Sequence, residues 1–193
     1  MIIEFIGCPR SGKTTTAARV FANLKEAGFN CEFIPEQARF YIAQKRAAQH
    51  LDPKSTLTLD DIDQRNIMEK QFNAQELMLS SCGKDALIVT DSSVVNSLLY
   101  MTRDGRLDLN VAQILEEYQK TPKVTFYSRP VEWIGGLDPN RVHTKEQSEA
   151  IDKEIHEYLF LGSIVANPIH LIGDADMRWR YATSEVFRMI MEK

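Results

Sequence analysis

Short apolar runs alternate with longer amphipathic segments along this chain. Runs of this kind, rich in Ile, Val and Phe, are typical of strands buried in a parallel sheet. Five are present, at residues 2–6, 31–34, 86–90, 124–127 and 169–172. A helical segment that Gly28 ends follows the first run. The other helical segments lie at residues 36–50, 60–81, 93–119 (broken near 104–105), 145–161 and 176–191.

This alternation predicts an α/β fold in which helices cover both faces of a mostly parallel sheet. No repeat, low-complexity segment or linker interrupts it, so we expect one domain. Residues 51–58 and 128–144 have the composition of surface excursions. Ligands of open parallel sheets bind beyond the carboxyl ends of the strands. The residues that directly follow each strand are therefore the candidates for a functional site.

The residues after the first strand form a phosphate loop, G-x-x-x-x-G-K-[ST], between a strand and a helix. The N–H groups of such a loop and the following helix N-terminus bind phosphate. Its lysine, Lys13, reaches the β- and γ-phosphates, and its Thr14 hydroxyl coordinates Mg²⁺. A simple glycine turn is the alternative interpretation. The predicted nucleotide-binding set is Gly7, Arg10, Ser11, Gly12, Lys13, Thr14 and Thr15.

Charged residues also follow the second strand. Pro35 ends this strand, because proline cannot donate to a sheet, and Glu36 then begins a helix, where the helix dipole favours an acid. Glu36 is a candidate general base that accepts the proton of an acceptor hydroxyl. Arg39, one turn later, is a candidate for holding a phosphate or orienting that acid. Helix capping by Glu36 is the alternative.

Asp91 follows the third strand, within the sequence Asp-Ser-Ser. An Asp after a run of apolar or small residues has the form of a Walker B element, which holds Mg²⁺ directly or through water. The alternative is that Asp91 caps the helix expected to begin near Ser93. The metal ligands predicted from the sequence are thus Thr14 and Asp91.

The region after the fourth strand predicts a lid at about residues 128–146. Arg129 and Arg141 flank its Gly- and Pro-rich stretch. Closing lids commonly deliver arginines to a transferring phosphoryl group, whose oxygens carry the developing charge. Solvated arginines on a surface loop are the alternative.

Two further pairs of polar residues lie near the predicted site. Arg178 and Arg180 come shortly after the fifth strand, within reach of a nucleotide. Gln71 and Gln75 lie on the segment 60–81, where amides can read the edge of a base. For all four side chains, a role in the site is the less favoured interpretation.

Composition narrows the classes of function. The 193 residues carry a formal net charge of −4, which predicts no general nucleic-acid surface, although a local basic groove stays open. Three cysteines without C-x-x-C spacing argue against a zinc site and a disulfide framework. No apolar run approaches the ~20 residues that span a bilayer. We therefore expect a cytoplasmic protein without a membrane partner.

Four motifs together carry a resemblance to a known family. They are G-C-P-R-S-G-K-T-T at 7–15, P-E-Q-A-R at 35–39, D-S-S at 91–93 and W-I-G-G-L-D-P-N-R at 133–141. On these motifs the chain resembles the small P-loop kinases of the ribosylnicotinamide kinase-like group and related AAA-type ATPase/kinase domains, many of them encoded by bacteriophages. The resemblance implies a P-loop NTPase fold over residues 1–193 as a single domain. That fold is a three-layer α/β/α sandwich with a five-stranded parallel sheet in the order 2-3-1-4-5 and a lid.

The resemblance also implies an activity, the transfer of the ATP γ-phosphate, with Mg²⁺, to a hydroxyl of a nucleoside, nucleotide or ribosylated base. The residues that carry over as catalytic are Lys13, Glu36, Asp91 and Arg141. We expect the acceptor to be bound by Glu36, Arg39 and Arg129. More distant deoxynucleoside kinases have D-R-S where this chain has D-S-S, so Ser92 stands in place of their arginine. This difference leaves open what binds the acceptor. Similar kinases often pair, so a homodimer is a further expectation.

Two other functions stay open. Some phage members of the wider group phosphorylate hydroxymethylated pyrimidines in DNA, and a kinase for such a base or a DNA end needs a basic rim. The candidates for that rim are Lys45, Arg46, Arg103, Arg106 and Lys123. The second alternative is an ATP-binding module without an acceptor.

Overall fold

Five strands pair in parallel within one sheet in the computed structural model of this chain, which describes residues 1–52, 57–83, 85–130 and 144–192. The strands are β1 (Ile2–Ile6), β2 (Cys31–Ile34), β3 (Leu87–Thr90), β4 (Lys123–Ser128) and β5 (Ile169–Leu171). Their order across the sheet is β2-β3-β1-β4-β5, which confirms the predicted topology. Because all five run parallel, their carboxyl ends share one edge.

Helices connect the strands. In the described ranges they are α1 (Lys13–Glu26), α2 (Gln37–Ala48), α3 (Asp61–Ser81), α4 (Arg103–Arg106), α5 (Leu109–Lys120), α6 (Lys145–Glu154) and α7 (Ala175–Met191). A 3₁₀ helix spans Val94–Tyr100, and a π-helical turn, Ile155–Phe160, continues α6. None of the helices in these ranges has both the length and the apolar character needed to cross a membrane. Most of the predicted lid, residues 131–143, lies outside the described residues.

The segment 93–119 differs from its prediction as a helix broken near 104–105. It consists of the 3₁₀ helix followed by the separate helices α4 and α5. Thr102 and Asp108 cap the starts of α4 and α5 through their side-chain oxygens. Each polar cap satisfies free N–H groups and lets the chain begin a new helix. The breaks therefore lie next to these caps, and Gly105 is inside α4.

Alternate residues of β1 face opposite sides of the sheet. Ile3 and Phe5 pack on one side against apolar residues of α1 and α7, namely Ala17, Val20, Leu24, Ala182 and Val186. Ile2 and Ile6 lie in two clusters on the other side, with residues of α3, the 3₁₀ helix and α5. Helices thus cover both faces of the sheet, which confirms the three-layer α/β/α fold.

Glu4 is a fully buried charged residue at the centre of β1. Its Oε1 accepts hydrogen bonds from the hydroxyls of Tyr118 and Thr125, the latter at 2.6 Å. Its Oε2 has no hydrogen-bond partner among the described residues. Burial raises the pKa of the Glu4 carboxyl, while hydrogen bonds from Thr125 and Tyr118 and the charge of Lys123 oppose that shift. Folding therefore favours the protonated form of Glu4.

We expect Glu4→Gln to raise stability at neutral and alkaline pH and to flatten the pH dependence of unfolding. The unfolded chain releases this proton near pH ~4.3, whereas the folded chain keeps it to higher pH. Stability therefore falls as the pH rises from the unfolded pKa through the raised folded pKa. The amide keeps the acceptor oxygen and has no proton to lose. Each kcal/mol gained raises Tm by about 2–4 °C for a chain of this size, which calorimetry over a pH series measures.

Glu32→Gln is the matched control. Glu32 lies on β2, where its partly exposed carboxylate pairs with Lys25 at 3.1 Å. This variant should keep the wild-type slope of Tm against pH above pH 5. If Glu4→Gln also kept that slope, the raised pKa of Glu4 would be wrong.

Candidate functional site

The phosphate loop follows β1 directly, and its backbone requires particular residues. A Cβ atom on Gly7 would lie 2.4 Å from the carbonyl oxygen of Ser128, so only glycine fits between the loop and the end of β4. Arg10 and Gly12 have positive φ angles of 66° and 83°. Turns of this kind group successive N–H donors into an anion-binding concavity. Gly12 is also the N-cap residue of α1, so the loop joins the positive end of a helix dipole.

Side chains from three other elements hold the carbonyl oxygens of this loop. The Ser148 hydroxyl, on α6, donates to the Pro9 carbonyl oxygen at 2.7 Å. The Ser128 hydroxyl, at the end of β4, donates to the Ser11 carbonyl oxygen at 2.7 Å, and Arg178, on α7, donates to the same oxygen at 3.0 Å. Because these acceptors are satisfied by protein groups, they do not compete for the N–H groups of the loop that stay available to an anion. The Ser11 N–H is not one of these, since it donates to the Cys8 carbonyl oxygen at 3.2 Å.

Lys13 is the first residue of α1 and folds back over the loop. Its Nζ donates to the carbonyl oxygens of Gly7 and Cys8, at 2.8 Å in each case. Burial lowers the pKa of the Lys13 ammonium, and the carboxylates of Glu36 and Asp91 act in the opposite direction. The ammonium is therefore a poorly hydrated charge, which favours a strong interaction with a phosphate.

Asp91 connects the phosphate loop with the start of α2. Its Oδ2 accepts a hydrogen bond from the Thr14 hydroxyl at 2.6 Å, and its Oδ1 accepts one from the Glu36 backbone N–H at 2.7 Å. Asp91 is only 3% exposed. The cap of the following 3₁₀ helix is Ser93, whose hydroxyl accepts from the Val95 N–H. The Asp91 carboxylate is thus directed to the loop and to α2.

The Thr14 hydroxyl and the Asp91 carboxylate, 2.6 Å apart, are oxygen donors of the kind that suits Mg²⁺. A hydroxyl next to a carboxylate at the end of a phosphate loop is the protein part of a magnesium site completed by phosphate oxygens and water. Among the described residues, no group of three or more His, Cys, Asp or Glu side chains could hold a metal ion. The pair therefore fits a cation that arrives with a nucleotide.

Glu36 precedes α2 and does not cap it through its side chain. Its carboxylate accepts a hydrogen bond from Arg39 Nε at 3.2 Å and is 31% exposed. Burial and the neighbouring negative charge of Glu36 raise the pKa of the Tyr100 hydroxyl. Arg39 and Tyr100 are thus neighbours of a carboxylate that still reaches solvent.

Gln71 fixes the start of α2 relative to β3. Its side chain is buried on α3, with Oε1 accepting from the Gln37 N–H at 3.1 Å and Nε2 donating to the Thr90 hydroxyl at 3.1 Å. The oxygen and the nitrogen of its side-chain amide are therefore both hydrogen-bonded to protein groups. Gln71 thus positions the segment that carries Glu36. Gln75, one turn later, is also buried, and its Nε2 has no hydrogen-bond partner among the described residues.

The remaining predicted residues have different environments. Arg10 lies within the loop, and Thr15 is exposed on the first turn of α1. Arg129 follows β4, where its Nη2 is 3.2 Å from His170 Nδ1. Arg141 lies outside the described residues, so its place in the site is a prediction from the sequence alone.

Three residues of the candidate basic rim are either paired with an acid or far from the phosphate loop. Lys123 begins β4, at the edge of the sheet opposite to the phosphate loop. Lys45 pairs with Asp63, and Arg106 lies 3.3 Å from the Glu154 carboxylate. Three of the five candidate side chains are therefore engaged elsewhere.

Sequence reasoning missed Ser128 and Ser148, and it named Arg178 and Gln71 only as less favoured candidates. Ser148 contacts Pro9, which is 139 positions away in sequence, and Arg178 contacts Ser11, which is 167 positions away. No local sequence pattern links residues so far apart. Ser128 directly follows the predicted strand 124–127, and a position after a strand indicates a candidate site residue. Gln71 carried a signal only in its helical position, which does not show what an amide binds.

Comparison with protein families gives one match. A family described as the AAA domain matches residues 2–172, which include the phosphate loop, Glu36 and Asp91. No curated protein matches the chain significantly. The family match thus covers all five strands.

Several solved structures are similar. NadR in complex with NAD and AMP-PNP has a TM-score of 0.68 at 14% identity, over 97% of this chain and 48% of NadR. Thymidylate kinase from Ehrlichia chaffeensis has a TM-score of 0.60 at 15% identity, over 98% of each chain. The Mycobacterium tuberculosis APS kinase CysC, in complex with AMPPNP and APS, has a TM-score of 0.52 at 13% identity, over 98% of this chain and 96% of the kinase. The chain spans about half the length of NadR, and at such identities the likeness concerns the fold.

We expect Gln71→Leu to destabilise the protein by about 1–3 kcal/mol, because it leaves the half-buried Gln37 N–H without an acceptor and removes the partner of the buried Thr90 hydroxyl. Gln75→Leu is the matched control on the same helix. It removes a buried amide whose nitrogen is unpartnered among the described residues, so its effect should be small or stabilising. Urea unfolding of both variants measures the difference, and an equal loss of stability would contradict the role assigned to Gln71.

Proposed function

The chain belongs to the AAA domain family, and from this premise we propose that it is an ATP-dependent kinase. Its acceptor is a hydroxyl of a nucleoside, a nucleotide or a ribosylated base. The observation that carries the proposal is the hydrogen-bonded series Thr14–Asp91–Glu36, at 2.6 and 2.7 Å. It connects a phosphate loop to a carboxylate that is open to solvent. Transfer from a nucleotide to a second molecule requires both a site for the phosphates and a base that the second molecule can reach.

The first part of the mechanism is the binding of the donor. The N–H groups of the loop and the N-terminus of α1 bind the phosphates of ATP, and Lys13 binds the β- and γ-phosphates. Thr14 and Asp91 would hold Mg²⁺, which would supply positive charge to the transferring group. Arg141, from the predicted lid, is the proposed source of further positive charge for that group.

The second part is the transfer to the acceptor. Glu36 accepts the proton of the acceptor hydroxyl while that oxygen forms a bond to the γ-phosphorus. The bond from the γ-phosphorus to the bridging oxygen breaks, and ADP leaves with that oxygen. Arg39 orients the Glu36 carboxylate through its 3.2 Å hydrogen bond. Arg39 and Arg129 are also the proposed contacts for anionic groups of the acceptor.

The names of similar structures support the class of acceptor. One belongs to a thymidylate kinase and one to an APS kinase in complex with APS. A second NadR structure, with a TM-score of 0.64 at 15% identity over 97% of this chain and 50% of NadR, is a complex with NR. These names favour nucleoside-like acceptors over DNA.

The experiment that tests this proposal offers radiolabelled ATP and Mg²⁺ with a panel of acceptors. The panel contains nucleosides, nucleotides, nicotinamide riboside and hydroxymethylated DNA. We expect label to be transferred to a small nucleoside-like molecule. Transfer to the DNA instead would replace the proposed acceptor, and ATP binding without any transfer would favour a non-catalytic module.

Lys13→Ala should abolish transfer while the chain stays folded, because it removes the ammonium that interacts with the phosphates. Lys25→Ala is the matched control on the same helix, since Lys25 is exposed and pairs with Glu32. Labelled product formation and circular dichroism measure the two effects. Wild-type turnover by Lys13→Ala would refute the assignment of the phosphate loop.

Glu36→Gln should lower kcat by about 100-fold or more with little change in the KM for ATP, because the amide keeps size and polarity but cannot take a proton. Steady-state kinetics with the identified acceptor measures both constants. Arg39→Lys is the comparison, since it keeps a cation next to Glu36 and should lower kcat far less. A rise in the acceptor KM at unchanged kcat would make Glu36 a binding residue instead of the base.

A further inference from the structure

We infer that Arg178 is a positioning residue that fixes and polarises the peptide group between Ser11 and Gly12 in the phosphate loop. The inference rests on the proposed function, because it assigns a role in binding the donor nucleotide. Arg178 lies on α7, distant in sequence from the loop that it contacts. It is only 3% exposed.

The guanidinium of Arg178 joins three loops at the carboxyl edge of the sheet. Its Nη1 donates to the carbonyl oxygens of Ser11 at 3.0 Å and Arg129 at 2.7 Å, and lies 3.3 Å from the Ser128 hydroxyl oxygen. Its Nε donates to the Gly173 carbonyl oxygen at 2.8 Å. One side chain thus connects the phosphate loop with the chain segments that follow β4 and β5.

All of these partners are uncharged oxygens. A buried arginine is costly to desolvate and is ordinarily paired with a carboxylate. Burial lowers the pKa of the Arg178 guanidinium, and Asp174 acts in the opposite direction. The positive charge is therefore balanced mainly by peptide and hydroxyl dipoles, which leaves its field available to the neighbouring loop.

The peptide that Arg178 contacts is the one that carries the Gly12 N–H. A hydrogen bond from a cation to the carbonyl oxygen of a peptide polarises that peptide and makes its N–H a stronger donor. Ser128 donates to the same oxygen, so two donors converge on the Ser11 carbonyl. Gly12 is the N-cap residue of α1, where an anion is expected to bind. Arg178 therefore supports the phosphate site without touching the phosphate.

The test is isothermal titration of Mg·ATP into wild type, Arg178→Met and Arg180→Met. Arg180 is the matched control, since it lies on α7 but is exposed and pairs with Asp176 at 2.7 Å. We expect Arg178→Met to raise the Kd for Mg·ATP by about 10- to 100-fold, as expected for the loss of hydrogen bonds from a charged donor. Arg180→Met should bind as wild type does.

The binding stoichiometry separates positioning from a merely structural role. A positioning residue changes Kd at a stoichiometry that stays near one per chain. A structural residue lowers the stoichiometry with the folded fraction and leaves the Kd of the folded molecules unchanged, and that result would overturn the inference. If Arg178→Met does not fold, Arg178→Lys and Ser128→Ala take its place, and each should weaken binding by about tenfold. Unchanged Kd values in both would also overturn it.

Failure of the inference is distinguishable from failure of the proposed function. If wild type does not bind Mg·ATP, the nucleotide site itself is wrong. If wild type binds it and Arg178→Met binds equally well, only the role of Arg178 is wrong.

Discussion

The site depends on one constraint, that the oxygens of the phosphate loop must be satisfied by the protein while its N–H groups stay available. Each loop residue other than proline carries one acceptor and one donor, and an anion tolerates only the donors. Hydroxyls of Ser128 and Ser148, together with the guanidinium of Arg178, bond the carbonyl oxygens of Ser11 and Pro9. These donors come from β4, α6 and α7. The shape of the loop is therefore a property of the packed fold and not of the glycine-rich sequence alone.

Asp91 connects the phosphate loop to the segment that carries the proposed base, Glu36. Its two carboxylate oxygens accept from Thr14 on one side and from the Glu36 N–H on the other. Gln71, on α3, fixes the start of α2 by accepting a hydrogen bond from the Gln37 N–H. The parallel sheet makes this possible, because β1, β2 and β3 end at the same edge and bring their following residues within hydrogen-bond distance.

Much of the fold was predictable from the sequence, because each strand is a short apolar run and the helices have apolar residues at helical spacing. The sheet order followed from a family resemblance and is confirmed. The region after β3 was not predictable in detail, since apolar spacing continues across Thr102 and Asp108, where polar caps restart the helix. Thr14, Glu36 and Asp91 could be found because they follow strands. Arg178 was only a less favoured candidate, because a solvated arginine and a buried one look alike in a helix, and only long-range packing distinguishes them.

The hydrogen bonds of Lys13 have a consequence for selectivity. Its ammonium donates to the carbonyl oxygens of Gly7 and Cys8, so an incoming anion competes with two oxygens that are tethered beside the lysine. The anion can accept from the third N–H of the ammonium directly, and for the other two the net gain is only the difference between the old and new partners. Chloride or bicarbonate, with a single charge, gains little from this exchange, whereas a polyphosphate tail gains from the helix terminus and several amides at once. Under the proposed function, this internal competition favours a polyphosphate over a singly charged anion.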